Sequence, residues 1–134
     1  MLSQKLFGIF HDALGYLQSM TRTYRFGVEV STEEYWHLCE NAVASARKTF
    51  LEGRLFIPPD LVQQCDRFLA SVVEGQMNYA HARQPAIIDG HQRAEFWDRA
   101  RKIAYEEAPV ILQQIEDAAR IVVTVSRHGE LPTS

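Results

Sequence analysis

No uninterrupted apolar run in this chain approaches the 18 or so residues that a membrane-spanning helix requires, so a transmembrane segment is excluded at the outset. Nor does the N-terminal stretch read as a signal peptide. Lys5 precedes Leu6-Phe7-Gly8-Ile9-Phe10, but His11 and Asp12 cut that run short and no clean small-residue cleavage site follows. Cysteine is scarce: Cys39 and Cys65 have no CxxC spacing and fall among helical core positions. That pattern reads as two buried thiols in a reducing compartment rather than a disulfide. Together these absences set a cytoplasmic protein, without a membrane partner, as the expectation.

A basic excess is also lacking. Lysine and arginine number 14 against 17 acidic residues, a formal charge of -3, with the two signs well mixed. Nucleic-acid binders carry a basic stripe or surplus, so nucleic acid is not an expected partner. Arg93, Arg99, Arg101 and Lys102 do cluster, but Glu95 and Asp98 interleave, which predicts a solvated face with local ion pairs. The glycines at 8, 15, 27, 53, 75, 90 and 129 are dispersed and form no phosphate loop. Ser45, Ser71 and Ser126 have no flanking glycines of the nucleophile-elbow kind. An all-helical ribonuclease of the toxin type would carry an arginine a few residues ahead of a histidine at one helix end. Here Arg120 is too far from His128 and Arg127 adjoins it, so that chemistry is not supported. Repeats, low-complexity runs and linkers are likewise missing, and 1–134 reads as one domain with a frayed tail from about 128.

What the chain does have is helical periodicity. Trp97, Ala100, Ala104, Ala108, Ile111, Ile115, Ala118, Val122 and Val125 recur in steps of three and four. Leu112 and Ala119 widen that line into the face of a bundle wall rather than a narrow coiled-coil seam. The spacing predicts a last helix over about 90–127, roughly 57 Å long at 1.5 Å per residue. Asp89 and Gln92 offer it a capping box. Pro109 interrupts it, but Ala108 is no N-cap, so a kink that releases the Tyr105 carbonyl is expected rather than two helices.

Earlier in the chain, Leu2, Leu6, Ile9, Ala13, Leu17, Met20 and Tyr24 predict a first helix over about 3–24. Tyr24 to Val30 alternates with period two and reads as an extended connection. Ser31 and Glu34 form a capping box for a second helix that carries Tyr35, Leu38, Ala42, Ala46, Thr49 and Phe50 inward and stops at Gly53. Leu55-Phe56-Ile57-Pro58-Pro59 is a tight apolar connector, with Pro59 suited to the first turn of a third helix over about 60–83. The fold class is therefore an all-α, antiparallel, up-down four-helix bundle. The second and third helices should form the hairpin, and the first and fourth complete it.

Candidate chemistry is sparse. Glu34 and His37 make a Glu-x-x-His, half of what a carboxylate-bridged di-metal bundle uses, but no second copy occurs. His91 and Glu95 have the i,i+4 spacing of a metal pair or of a simple hydrogen bond. Adjacent His11 and Asp12 point about 100° apart on a helix, which argues against an acid–base dyad. Trp36 and Trp97 each begin an apolar face and suit packing better than ligand stacking. No catalytic set and no cofactor follow from these residues. The surplus apolar strip of Phe7, Phe10 and Leu14 beside the first helix's main face, with the overlong fourth helix, points instead to an interface. The expected function is a non-enzymatic interaction module that forms a homodimer or joins a helical partner. A small metal- or ligand-binding enzyme built on Glu34, His37 and His91 is the alternative.

Overall fold

A computed structural model describes residues 4–22, 32–84 and 90–130, without the side chains of 32, 54 and 121–130. The elements are α1 (Gln4–Met20), α2 (Thr32–Gly53), one 3₁₀ turn (Arg54–Phe56), α3 (Pro59–Ala82), α4 (Gly90–Lys102), a π-helical segment (Ile103–Glu107) and α5 (Ala108–Glu130). The last three follow one another without a break, so four rods pack together and the fourth is the longest. The extended connection, both capping boxes and the last tail residues fall at least partly outside the described residues. The helical backbone itself runs to Glu130, past the expected end near 127.

Cross-contacts fix the directions. Phe10 meets Phe68 at a ring distance of 5.0 Å, and one equal step farther along both helices Leu17 meets Gly75, so α1 and α3 run parallel. Tyr79 lies against Trp97 while Gly75, a turn earlier in α3, faces Ile103, later in the fourth rod; these two run antiparallel. Trp36 faces Tyr79 as Phe50 and Leu51 face Leu69, which makes α2 antiparallel to α3. The result is an up-down-up-down bundle.

The pairing within it departs from expectation. The closest pairs are α1 with α2 and α3 with the α4–α5 rod, whereas α2 and α3 touch less extensively despite their short connector. Small residues explain this, because the separation of two helices follows the size of the side chains between them. Ala13, Cys39 and Ala46 lie fully buried in α1 and α2, close enough for the Cys39 thiol to donate to the Ala13 carbonyl at 3.6 Å. Gly75 in α3 and Ala100, Ala104 and Ala108 in the fourth rod play the same part. A Cβ on Gly75 would stand 2.9 Å from the Leu17 side chain and 3.2 Å from that of Ile103, so α1, α3 and the π-helical segment meet closely enough here that a larger residue would displace the Leu17 side chain.

Local chemistry sets the ends. α1 ends at Met20, short of the expected 24; buried Thr21 caps it, its amide closing the last helical bond to the Leu17 carbonyl at 3.0 Å and its hydroxyl donating to the same oxygen at 2.7 Å. α3 opens as expected, with Pro58 extended (φ -56°, ψ 142°), Pro59 in the first turn, and the Val62 amide on the Pro58 carbonyl at 3.0 Å.

The irregularity expected at Pro109 takes the form of the π-helical segment one turn ahead of it. The Ala108 N–H donates to Ile103, five residues back, and Pro109 has no N–H. Neither helical donor of the Ala104 carbonyl is therefore at hand. An outside donor fills the place: Gln18 Nε2, from α1, reaches the Ala104 oxygen at 3.0 Å. The expected release of the Tyr105 carbonyl has shifted one residue back, to Ala104. In return, the Tyr105 hydroxyl donates to the Gln18 carbonyl at 2.7 Å, near the end of α1. A reciprocal pair of hydrogen bonds thus ties the C-terminal end of α1 to the π turn.

Candidate functional site

The sequence-derived site residues occupy different parts of the molecule. Glu34 and His37 are exposed on α2, and His37 stands 4.0 Å from Glu33, not beside Glu34 or His91. His91 and Glu95 form an exposed i,i+4 pair at 3.1 Å, the simple side-chain contact that their spacing allows. Among the described residues, no three His, Cys, Asp or Glu side chains gather as a metal site needs. The interface candidates also divide. Phe10 is fully buried on Phe68 and Leu14 is only 7% exposed, so both belong to this chain's own core. Phe7 is half-buried, its ring tilted 5.2 Å from that of His11.

Both cysteines are buried free thiols. Burial, and secondarily the neighbouring carboxylates of Glu40 and Asp66, pushes each up to about 12, so neither is a nucleophile near neutral pH. Within the expected basic patch, Arg99 does more than pair locally. It bonds Glu74 of α3 at 3.1 Å and Glu107 of the π-helical segment, and these two hydrogen-bonded carboxylates hold its guanidinium even more firmly protonated than usual.

Two surface features stand out. One is a cleft of about 480 Å³ between the end of α3 and the start of α4, walled by Tyr79, Arg83, Arg93, Ala94, Trp97 and Asp98. Its floor is an aromatic stack. The Tyr79 ring is buried between Trp36, at 6.2 Å and nearly parallel, and Trp97, at 5.8 Å. Arg83 donates to the Tyr79 hydroxyl at 2.6 Å with its guanidinium carbon 5.4 Å from the ring centre, a cation–π placement. The tryptophans pack, as their positions suggested. Tyr79 and Arg83 were missed because they come together with Trp97 only through the α3–α4 pairing.

The other feature is the α2–α3 connector. Leu55 is 95% exposed, Phe56 77% and Leu51 66%, while Ile57 alone turns into the core. The signal was present in the sequence: three consecutive apolar residues on one short turn cannot all face inward. Beside Leu51 lies a hollow of about 250 Å³ between α2 and α3, lined by Arg47, Phe50, Leu51, Asp66, Leu69 and Ala70.

Compared with known proteins, the chain matches no family model, no curated protein and no solved structure. No helix among the described residues is long and apolar enough to cross a membrane.

Proposed function

We propose that this chain is a non-enzymatic self-association module whose partner is a second copy of itself. The observation that carries the reading is the projection of Leu55 and Phe56 into solvent next to the hollow around Phe50, Leu51 and Leu69. A knob and a recess adjacent on one surface are what a two-fold, isologous interface uses, since each copy supplies both halves of the contact. Burying a leucine and a phenylalanine contributes about 1.5–3 kcal/mol each, and a symmetric pair does so twice. The outline of the bundle supports the same reading. In the antiparallel register, the start of α3 falls opposite the Ala118–Ala119 turn of α5, and α5 runs on to Glu130 beyond the connector's end of the bundle. The metal-enzyme alternative rests on Glu34, His37, His91 and Glu95, which lie exposed and apart, so it carries less weight.

Light scattering across a concentration series tests the proposal. A dimer is expected for the unaltered chain and a monomer for the Leu55→Glu/Phe56→Glu double variant, with the helical circular-dichroism signal retained in both. A monomer at every attainable concentration of the unaltered chain removes the reading.

A further inference from the structure

We propose that a hollow on the fourth rod, where α4 passes into the π-helical segment, binds an amino acid in its zwitterionic form. Its volume is about 310 Å³, at the small end of the range for ligand sites, and it is lined by Asp98, Arg101, Lys102, Tyr105 and Glu106. Opposite charges three and four residues apart on one helical face ordinarily pair with each other. These do not. Among the described residues, Asp98, Arg101, Lys102 and Glu106 make no ion pair with one another, although the neighbouring Arg99 holds two carboxylates. Arg101 supplies a second, independent observation. It is half-buried, and its Nε is buried without a hydrogen-bond partner. Such groups are rare in folded chains, because each is held at a cost to stability. A carboxylate that draws the guanidinium toward the hollow gives this N–H and an adjacent Nη one acceptor each, the two-pronged contact that arginine makes with carboxylates.

The two carboxylates decide the class. Asp98 and Glu106 balance Arg101 and Lys102, so the lining has no net charge and a doubly charged phosphate gains little from it. A molecule with one carboxylate and one ammonium finds a partner for each. Tyr105 adds an apolar wall for the ligand's side chain; its hydroxyl donates to the Gln18 carbonyl at 2.7 Å, which steadies the ring.

Isothermal titration of the full chain with each of the twenty common amino acids, and with inorganic phosphate, tests this. At least one amino acid with an apolar or aromatic side chain is expected to bind saturably, at one site per chain. Its deaminated and decarboxylated analogues should each bind about tenfold more weakly, since each leaves one sign of charge on the wall without a partner. Arg101→Met, which keeps the apolar stem, should weaken the amino acid by about tenfold and spare the decarboxylated analogue. Asp98→Asn/Glu106→Gln should weaken it similarly and spare the deaminated one. The thermal midpoint of Arg101→Met should hold or rise, because the orphaned N–H leaves with the guanidinium; a marked fall would assign Arg101 to the fold and overturn the proposal. So would the absence of a saturable site for any of the twenty, a site indifferent to Arg101→Met, or phosphate binding more tightly than every amino acid. The hollow shares no residue with the exposed connector, so Leu55→Glu/Phe56→Glu should leave binding unchanged whether or not the chain dimerises.

Discussion

At the scale of single residues, burial without charge dominates what the polar groups do. Cys39 and Cys65 face apolar neighbours, and each thiol titrates near 12 rather than near its ordinary 9.0. Because the folded value lies above the unfolded one, the protonated thiol's contribution to stability is fully present below about pH 9. It is lost as pH rises toward 12, where the unfolded chain has released protons that the folded chain still holds. Urea denaturation at stepped pH should therefore show stability falling across that window. The fall should be shallower in Cys39→Ala and shallower still when Cys65→Ala is added. An unchanged slope in the double variant would mean that other groups carry it. Arg99 illustrates the opposite case: a partly exposed cation gains less from its two carboxylates than the geometry suggests, because solvent screens them.

At the scale of elements, the π-helical segment is the feature that most needs explanation. Helical faces advance about 100° per residue, so each step of four overshoots a full turn by about 40°. Ala100, Ala104, Ala108 and Leu112 are all buried, three such steps in a row, and an ideal α-helix would rotate that line by about 120° away from the core. One additional residue in the π turn takes back about 100°, which is why Ile103 and Ala104 are both buried and why Leu112 replaces Ile111 as the innermost residue. The line through Ala100, Ala104 and Ala108 was legible in the sequence, although spacing continued it to Ile111 rather than Leu112, and so was the four-rod architecture, since both follow from hydrophobic spacing. The Pro58–Pro59 start of α3 was legible for the same local reason. The tight pairing of α1 with α2 and the Tyr79–Trp97–Arg83 cleft were not. Each depends on which helices touch, and spacing within one helix carries no record of its neighbour. Gln18 is the sharpest instance, being an ordinary polar residue until the Ala104 carbonyl loses its donor to Pro109. The two should be coupled. Gln18→Leu leaves that carbonyl unsatisfied at a cost of about 1–3 kcal/mol. The same change in a Pro109→Ala background, where a backbone N–H returns, should cost measurably less. A double-mutant cycle from denaturant unfolding reads the difference, and strict additivity would show that Gln18 does not replace the missing donor.

At the scale of the whole molecule, the core and the surface do not account for the same apolar residues. Of the apolar strip Phe7, Phe10 and Leu14, Phe10 and Leu14 are consumed inside the bundle and Phe7 is half-buried, so the proposed association draws on a different surface. In the proposed dimer that surface is the connector, where Leu51, Leu55 and Phe56 are largely exposed while Ile57 turns into the core. A stable interface of standard size buries about 1,600 Å² in total, more than three side chains per copy provide. In the proposed dimer the flanking surfaces of α2 and α3 around Arg47 and Asp66 would take part as well, the cation of one copy meeting the anion of the other. Association of this kind is linked to folding, because a dimer stabilises only the folded chain. The midpoint of thermal unfolding should then rise with protein concentration, by several degrees over a hundredfold range for a chain of this size. The rise should disappear in Leu55→Glu/Phe56→Glu and be reduced by salt, since salt screens the Arg47–Asp66 attraction across the interface. A midpoint independent of concentration in the unaltered chain would leave the exposed connector to a partner other than itself.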